Sequence, residues 1–366
     1  MNIIFIASLK SYTTAISLIK AFQNQKHNVL VLSDMHSDYI QIDEIIKQDF
    51  DVYHYIKKNN IKPDFVFFCE GGSMKLFPQG LEMIECKTAW YGIDTHMDLI
   101  KHIEISKFFD ITFLAQKEYI KNFTKKGLLN TYWLPLAYDL NMLSSEKSEK
   151  IYDIAYVGSN KKDLHPIRFE LIEKLKKEFP NSYFGQANGR EMYKIYSQAK
   201  IVFNKSINND INMRYFEALG NGAMLLTDKI YENGLEEIFE KQKHFLEYDN
   251  SNIISVAKAY LESNKNESID LQDFILKNHT YDIRVSKIID HVSTCQKDCK
   301  NIKIIDYANI YLLLDNFTAF LTSLRLVFIN DLITTNRKRK IVFMPLLIVL
   351  KITILILEKL RKLANV

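Results

Sequence analysis

The stretch Ile211-Asn212-Met213-Arg214-Tyr215-Phe216-Glu217-Ala218-Leu219-Gly220-Asn221-Gly222-Ala223-Met224-Leu225-Leu226-Thr227-Asp228 joins a polar, charged helix start to a glycine turn and then to an apolar strand. Tyr215, Phe216 and Leu219 have the spacing of a helix face that packs inward, and Gly220 and Gly222 are expected to stop the helix and permit left-handed backbone. Residues 223–227 then read as a buried strand. Packing alone requires neither Arg214 nor Glu217, so this joint can present a fixed guanidinium and a fixed carboxylate to a ligand.

Outward from this joint the same rhythm recurs. Residues 152–157 read as a strand that stops at Gly158-Ser159-Asn160, and 166–178 as a helix with Ile167, Leu171, Ile172 and Leu175 on its apolar face. Further strands are expected at 181–184, 201–204 and 244–248, separated by helices near 190–198, 213–219 and 233–240. Upstream, 2–7, 29–32, 64–69, 88–91 and 111–114 are short apolar runs of the kind buried on both faces of a parallel sheet, with a first helix at 11–25. The fold class is therefore α/β, with two similar units in tandem. Their expected bounds are 1–145 and 146–295, joined by the polar stretch 144–150 and followed by an extension over 296–366.

Length and composition agree with this division. A chain of 366 residues exceeds what one core usually serves, and 47% hydrophobic residues against 25% charged ones place it among globular rather than disordered chains. Cysteines 69, 86, 295 and 299 show neither CxxC pairing nor scaffold density, which points to a reducing compartment and no metal site. Residues 1–9 lack a basic leader and are expected to be a first strand rather than a signal peptide.

The net charge of +4 conceals an asymmetry. From residue 300 onward there are eleven Lys and Arg against four Asp and Glu, so the basic character belongs to the tail. Residues 304–329 are rich in Leu, Phe and Ile. The apolar run 341–357 is bracketed by Arg337-Lys338-Arg339-Lys340 on one side and by Lys359, Arg361 and Lys362 on the other. Seventeen residues at helical rise reach about 25 Å, short of a hydrocarbon core of about 30 Å, and Lys351 sits near the middle. This pattern suits a segment lying on an anionic membrane surface, not nucleic acid. The competing reading is a helical hairpin packed on the protein itself, or on a second copy in a homodimer.

Three groups of residues carry chemistry. Gly158-Ser159-Asn160 lies between a strand and a helix, where Ser159 and backbone N–H groups can meet a phosphate; equally, it is a turn or a helix cap. Arg214 offers a fork of donors for a diphosphate and Glu217 two acceptors for a ribose diol, with Lys205 adding charge at the same sheet edge. The alternative for Arg214 and Glu217 is a surface ion pair at a spacing of three. In the first unit, Asp94 and His96 follow a strand and can orient or deprotonate a hydroxyl, or merely form a turn. Glu70-Gly71-Gly72-Ser73 is a similar loop, whose glycines allow close approach of a ligand. Neither G-x-G-x-x-G nor G-x-x-x-x-G-K-[ST] occurs, which counts against nicotinamide and P-loop chemistry.

At these residues the chain resembles the GT-B glycosyltransferases, especially the group-1 type and its branch similar to the spore maturation protein CgeB. The resemblance is carried by Met192 to Asn204 and by Asn212-Met213-Arg214-Tyr215-Phe216-Glu217-Ala218-Leu219-Gly220-Asn221-Gly222-Ala223. Tyr156-Val157-Gly158-Ser159, His279-Thr280-Tyr281 with Arg284, Trp90 with Asp94, and Leu134-Pro135 with Ala137 extend it. It implies two Rossmann-like domains facing across a cleft, with a nucleotide-sugar donor on the second and a glycan or lipid-linked acceptor on the first. Glu217 matches the glutamate that binds the donor ribose, Ser159, Lys205, Asn212 and Arg214 complete the donor side, and Asp94 and His96 are the expected catalytic pair. Group-1 enzymes often carry an earlier Glu eight positions before the ribose-binding one, and here that position is Asn209, beside Asp210.

The expected activity is thus transfer of a sugar with retention, without a metal or other cofactor, by a cytoplasmic protein held peripherally at the inner face of the membrane. The reading from a different class is a catalytically inactive relative that serves as a glycan- or membrane-binding scaffold.

Overall fold

The computed structural model describes residues 1–9, 13–71, 75–143, 148–263, 268–298 and 300–334. Gly72, Ser73, Cys299, part of the expected linker and the basic, apolar tail from 335 lie outside them.

The first unit alternates β1 (Asn2–Ile6), α1 (Thr14–Asn24), β2 (Asn28–Ser33), β3 (Glu44–Ile45), α2 (Val52–Lys58), β4 (Phe65–Cys69), β5 (Lys87–Gly92), α3 (Leu99–Ser106), β6 (Ile111–Leu114), α4 (Ile120–Thr124) and β7 (Thr131–Trp133). Its seven strands are parallel in the order β3-β2-β1-β4-β5-β6-β7. The second unit follows with β8 (Tyr152–Val157), α5 (Pro166–Glu178), β9 (Tyr183–Gly185), α6 (Gly189–Ser197), β10 (Ala199–Phe203), α7 (Met213–Gly220), β11 (Met224–Asp228), α8 (Leu235–Ile238), β12 (Phe245–Tyr248), α9 (Ile253–Glu262) and α10 (Ser268–Asn278). Its five parallel strands run β12-β11-β10-β8-β9.

Both sheets are doubly wound, and each therefore has a switch point where the strand order reverses. In the first it lies between β1 and β4, in the second between β8 and β10. The expected strands appear where continuous apolar runs predict them, because burial on both faces removes the polar alternation that would otherwise mark them. Along β4, Phe65, Phe67 and Cys69 enter one core while Val66 and Phe68 enter the other. The strands that the apolar pattern does not mark are the sheet-edge strands β3 and β7, which have little to bury.

Three features of the chain path refine the sequence expectation. The last helix assigned to the second unit, α11 (Tyr281–Thr294), returns to pack on α1 of the first. Buried Arg284 ties it there, donating from Nε to the Pro135 carbonyl at 2.7 Å and from Nη2 to that of Leu136 at 3.1 Å. Second, the extension starts as part of the protein's own core. On α12 (Ile304–Leu313), Tyr307 donates to Glu82 at 2.6 Å and Tyr311 to the Phe77 carbonyl at 2.8 Å, and α13 (Phe317–Thr334) folds back on α12. No helix among the described residues is long and apolar enough to cross a membrane. Third, of the two glycines at the end of α7, only Gly222 takes left-handed backbone, with φ of 66°. Gly220 stays helical and is required for contact: a Cβ there would come within 2.3 Å of the Tyr138 ring.

Candidate active site

Ligands of open α/β sheets collect beyond the carboxyl ends of the strands at the switch point. In the second unit that crevice is walled by the loop after β8, with Ser159, and the loop after β10, with Lys205, and the start of α7 lies beside it. The sequence-predicted donor residues are thus gathered at one edge.

Their side chains are not equivalent. Arg214 donates from Nε to the Tyr196 hydroxyl at 3.1 Å, from Nη1 to Asn204 Oδ1 at 2.9 Å and from Nη2 to the Val157 carbonyl at 2.9 Å. Its guanidinium also lies 4.7 Å from the Tyr156 ring centroid. Three of its five N–H groups are therefore spent inside the unit, pinning α7 to β8, β10 and α6. Asn212 is the cap of α7: Oδ1 accepts from the Arg214 N–H at 3.1 Å, and Nδ2 donates to Asn204 Oδ1 at 3.1 Å. Lys205 faces Asp228 at 2.7 Å, and the other oxygen of Asp228 accepts from the Ser206 N–H at 2.7 Å. Lys205 is thus neutralised by Asp228, whereas the partners of Arg214 are all uncharged.

Glu217 stands apart. It is 7% exposed, no described residue donates to its carboxyl, and no ion pair joins it to Arg214. Burial pushes its pKa up to about 7, with Arg214 pulling the other way. Burial first and then the Glu217 charge also raise the Tyr138 and Tyr193 phenols. Nearby, Ser159 Oγ, Asn160 Oδ1 and Arg168 Nε are buried without a partner. A buried polar group left unpaired costs about 1–3 kcal/mol, so several together at a switch point make this edge a candidate ligand site.

Across the cleft, Asp94 and His96 leave the end of β5 as expected. Their loop is held from below by Glu70, which accepts from the N–H groups of Ile93 at 2.5 Å and Asp94 at 3.0 Å and faces His102 Nε2 at 3.5 Å. Thr95 closes the set through its hydroxyl, 3.1 Å from His102 Nδ1. Burial alone would raise the Glu70 pKa, but His102 and the two N–H groups outweigh it and hold the carboxylate below its usual range. Gly71 packs against the Ser8 backbone, where a Cβ would lie 2.6 Å from the carbonyl oxygen. The two switch-point loops of the first unit therefore touch.

Asp94 is exposed at the rim, yet the cleft walls desolvate its carboxyl and, with Glu70 and Asp210, raise its pKa. His96 Nδ1 is buried without a partner.

Between these two sets lie Asn209 and Asp210, together with Gln116 and Glu118, which the sequence does not single out. Asn209, which stands at the position of the earlier Glu, spends its amide on the Tyr231 backbone. Its Nδ2 donates to the Tyr231 carbonyl at 2.5 Å and its Oδ1 accepts from the Tyr231 N–H at 2.7 Å. Asn208 and Asn209 both take left-handed backbone, with φ of 49° and 66°, and this reversal leaves Asp210 facing the first unit. Asp210 accepts from Gln116 Nε2 at 3.0 Å, and its pKa is raised by burial against the opposing pull of Gln116 and His96. Glu118, buried without a hydrogen-bond donor in good geometry and with Asn209 close by, is pushed up to about 7 by burial. Consecutive Asn residues, which tolerate left-handed backbone, are the sequence signal that could have pointed past Asn209 to Asp210.

With this geometry in place, comparison with known proteins gives a consistent class. Residues 147–290 match the family model described as Glycosyl transferase-like, so the second unit is a glycosyl transferase-like domain. Among solved structures, the chain is similar to Anabaena Alr3699/HepE in complex with UDP and glucose, at 11% identity and a TM-score of 0.57, over 80% of this chain and 100% of that one. It is similar to an alpha-glucosyltransferase in complex with UDP and a 13-mer DNA, at 11% identity and a TM-score of 0.56, over 80% and 99%. A Listeria monocytogenes protein assigned as a UDP-N-acetylglucosamine 2-epimerase matches at 13% identity and a TM-score of 0.54, over 82% and 99%. At these identities the likeness shows the fold, which is the two-domain GT-B architecture. No curated protein sequence matches the chain.

Proposed function

We propose that this chain is a glycosyltransferase that takes a sugar from a nucleoside-diphosphate donor, uridine diphosphate being the nucleotide to test first. The observation that carries the reading is Glu217, a buried carboxyl with no described donor at the switch point of a glycosyl transferase-like domain. A ribose diol supplies the two hydroxyl donors that such a carboxylate lacks. The Ser159 hydroxyl, Lys205 and the two unspent N–H groups of Arg214 then meet the diphosphate, whose growing negative charge they stabilise as the glycosidic bond breaks.

On the opposite wall, Asp94 and His96 orient the acceptor hydroxyl, whose proton passes toward the departing phosphate. Asp210 stands at the same place from the second unit. Retention of configuration without a metal belongs to this reading, as does placement in the CgeB-like branch of the group-1 type. The acceptor is a surface glycan or a lipid-linked glycan. Peripheral attachment to the membrane through the segment from 335 rests on its basic and apolar composition. Because Tyr307 and Tyr311 belong to the core, the truncation that tests attachment begins after Thr334. Loss of flotation with anionic liposomes supports the attachment, and retained flotation refutes it.

The central test is a screen of nucleotide sugars with glycan and polyprenyl-linked acceptors, following release of nucleoside diphosphate and formation of product. Acceptor-dependent release supports the proposal. Conversion of the nucleotide sugar without an acceptor is the behaviour of an epimerase on the same fold and contradicts it, and binding of none supports the scaffold reading.

A further inference from the structure

Gln116, which follows the last buried residues of β6, is 3% exposed and makes three hydrogen bonds, two within the first unit and one across the cleft. Its Nε2 donates both to the Ile93 carbonyl and to Asp210 Oδ1, the latter at 3.0 Å, while Oε1 accepts from the Thr95 N–H at 3.2 Å. Two acceptors and one donor fix the amide in one orientation, since reversing it would set its oxygen against a carbonyl and a carboxylate. No other uncharged side chain of that reach offers two donors and one acceptor. Ile93 and Thr95 flank Asp94, and Asp210 is the cleft-facing residue of the loop that leads into α7.

We propose that Gln116 is a positioning residue that locks the acceptor-side loop 93–96 to the donor-side loop 205–212, so that Asp94 and His96 are aimed only when the two units are clasped. The inference rests on the transferase reading for its kinetic consequence but not for its structural one. Asp210 is faced by Asp94, His96, Gln116, Glu118, Tyr91 and Tyr119 from the first unit and by Tyr215 from its own. Among these, the Gln116 bond and the His96 charge favour its ionised form. Loss of the bond therefore raises the Asp210 pKa further.

The test uses the full chain with Gln116→Met, which keeps the volume and removes all three bonds, and Gln116→Glu, which keeps the shape and sets a charge against Asp210. The clasp predicts that kcat falls about tenfold or more, that the acid limb of the pH–rate profile moves to higher pH, and that the UDP Kd stays within about twofold. Amide exchange rises both at Thr95 and across 205–212. A kcat within twofold of the parent, or a fall in kcat matched by loss of UDP affinity with an unmoved profile, overturns the proposal. Should the parent chain transfer no sugar, the transferase reading fails by itself and exchange decides the clasp. Faster exchange in both loops supports it, whereas faster exchange confined to 93–96, or in neither loop, refutes it.

Discussion

Two glutamates at the carboxyl edges of the two sheets show how differently the same side chain is used. Glu70 is 6% exposed and Glu217 is 7% exposed, so burial does not distinguish them. Glu70 accepts from two backbone N–H groups and faces His102, and its pKa is lowered. Glu217 has no described donor, and its pKa is raised to about 7. The first carboxylate is satisfied by its own unit and shapes a loop. The second has no described protein donor at the edge where such folds collect ligands, which suits the proposed role of binding a partner from outside.

The sharpest way to break this comparison is to remove each carboxylate in turn. Glu70→Ala leaves the N–H groups of Ile93 and Asp94 and the buried His102 without their acceptor, and is expected to cost about 3–5 kcal/mol in chemical denaturation. Glu217→Gln is expected to act in the opposite sense. Because the folded pKa of Glu217 lies above that of the unfolded chain, the folded state keeps a proton that unfolding releases. Its contribution to stability therefore falls as pH rises from about 4.5 to about 7. The glutamine variant is then more stable than the parent by about 2–3 kcal/mol at pH 8, with the gain vanishing at pH 4. Glu70 has the reverse slope, since its lowered pKa gives stability that is present above the ordinary carboxyl range and lost as pH falls through it. Equal slopes for the two variants would dissolve the distinction.

Smaller effects sharpen the same picture around α7. Gly220→Ala drives a methyl into the Tyr138 ring, with a contact of 2.3 Å, and is expected to cost about 1–3 kcal/mol through overpacking. Asn212→Ala removes the cap of α7 and should cost about 1 kcal/mol, read as a lowered midpoint of thermal unfolding. Because Asn212 is spent inside the unit, its loss weakens UDP binding less than that of Glu217.

How much of this was legible in the sequence depends on where the information resides. Continuous apolar runs such as 65–69 declare a strand buried on both faces, and glycine turns after such runs declare its carboxyl end, so the two units and the edge bearing Ser159, Lys205 and Glu217 follow from local pattern. Partners distant in sequence do not. The spacing of Arg214 and Glu217 puts both near one helix start. Only the fold reveals that Tyr196, Asn204 and Val157 occupy most of the Arg214 fork while Glu217 stays unpaired. Likewise, Asn209 reads as the place of a lost acid, and only its left-handed turn shows that Asp210 faces the cleft. The return of α11 and α12 to the first unit is set by tertiary contacts of Arg284, Tyr307 and Tyr311 that no periodicity encodes.

The central claim is that the Glu217 carboxyl, which has no described protein donor, is the anchor of a nucleotide-sugar donor, and calorimetric titration of UDP into the parent chain and Glu217→Gln at pH 8 tests it most directly. Saturable binding by the parent and a loss of about thirtyfold or more in the glutamine variant, which stays folded and is the more stable of the two, is the predicted result. Equal UDP affinity in the two proteins would contradict it.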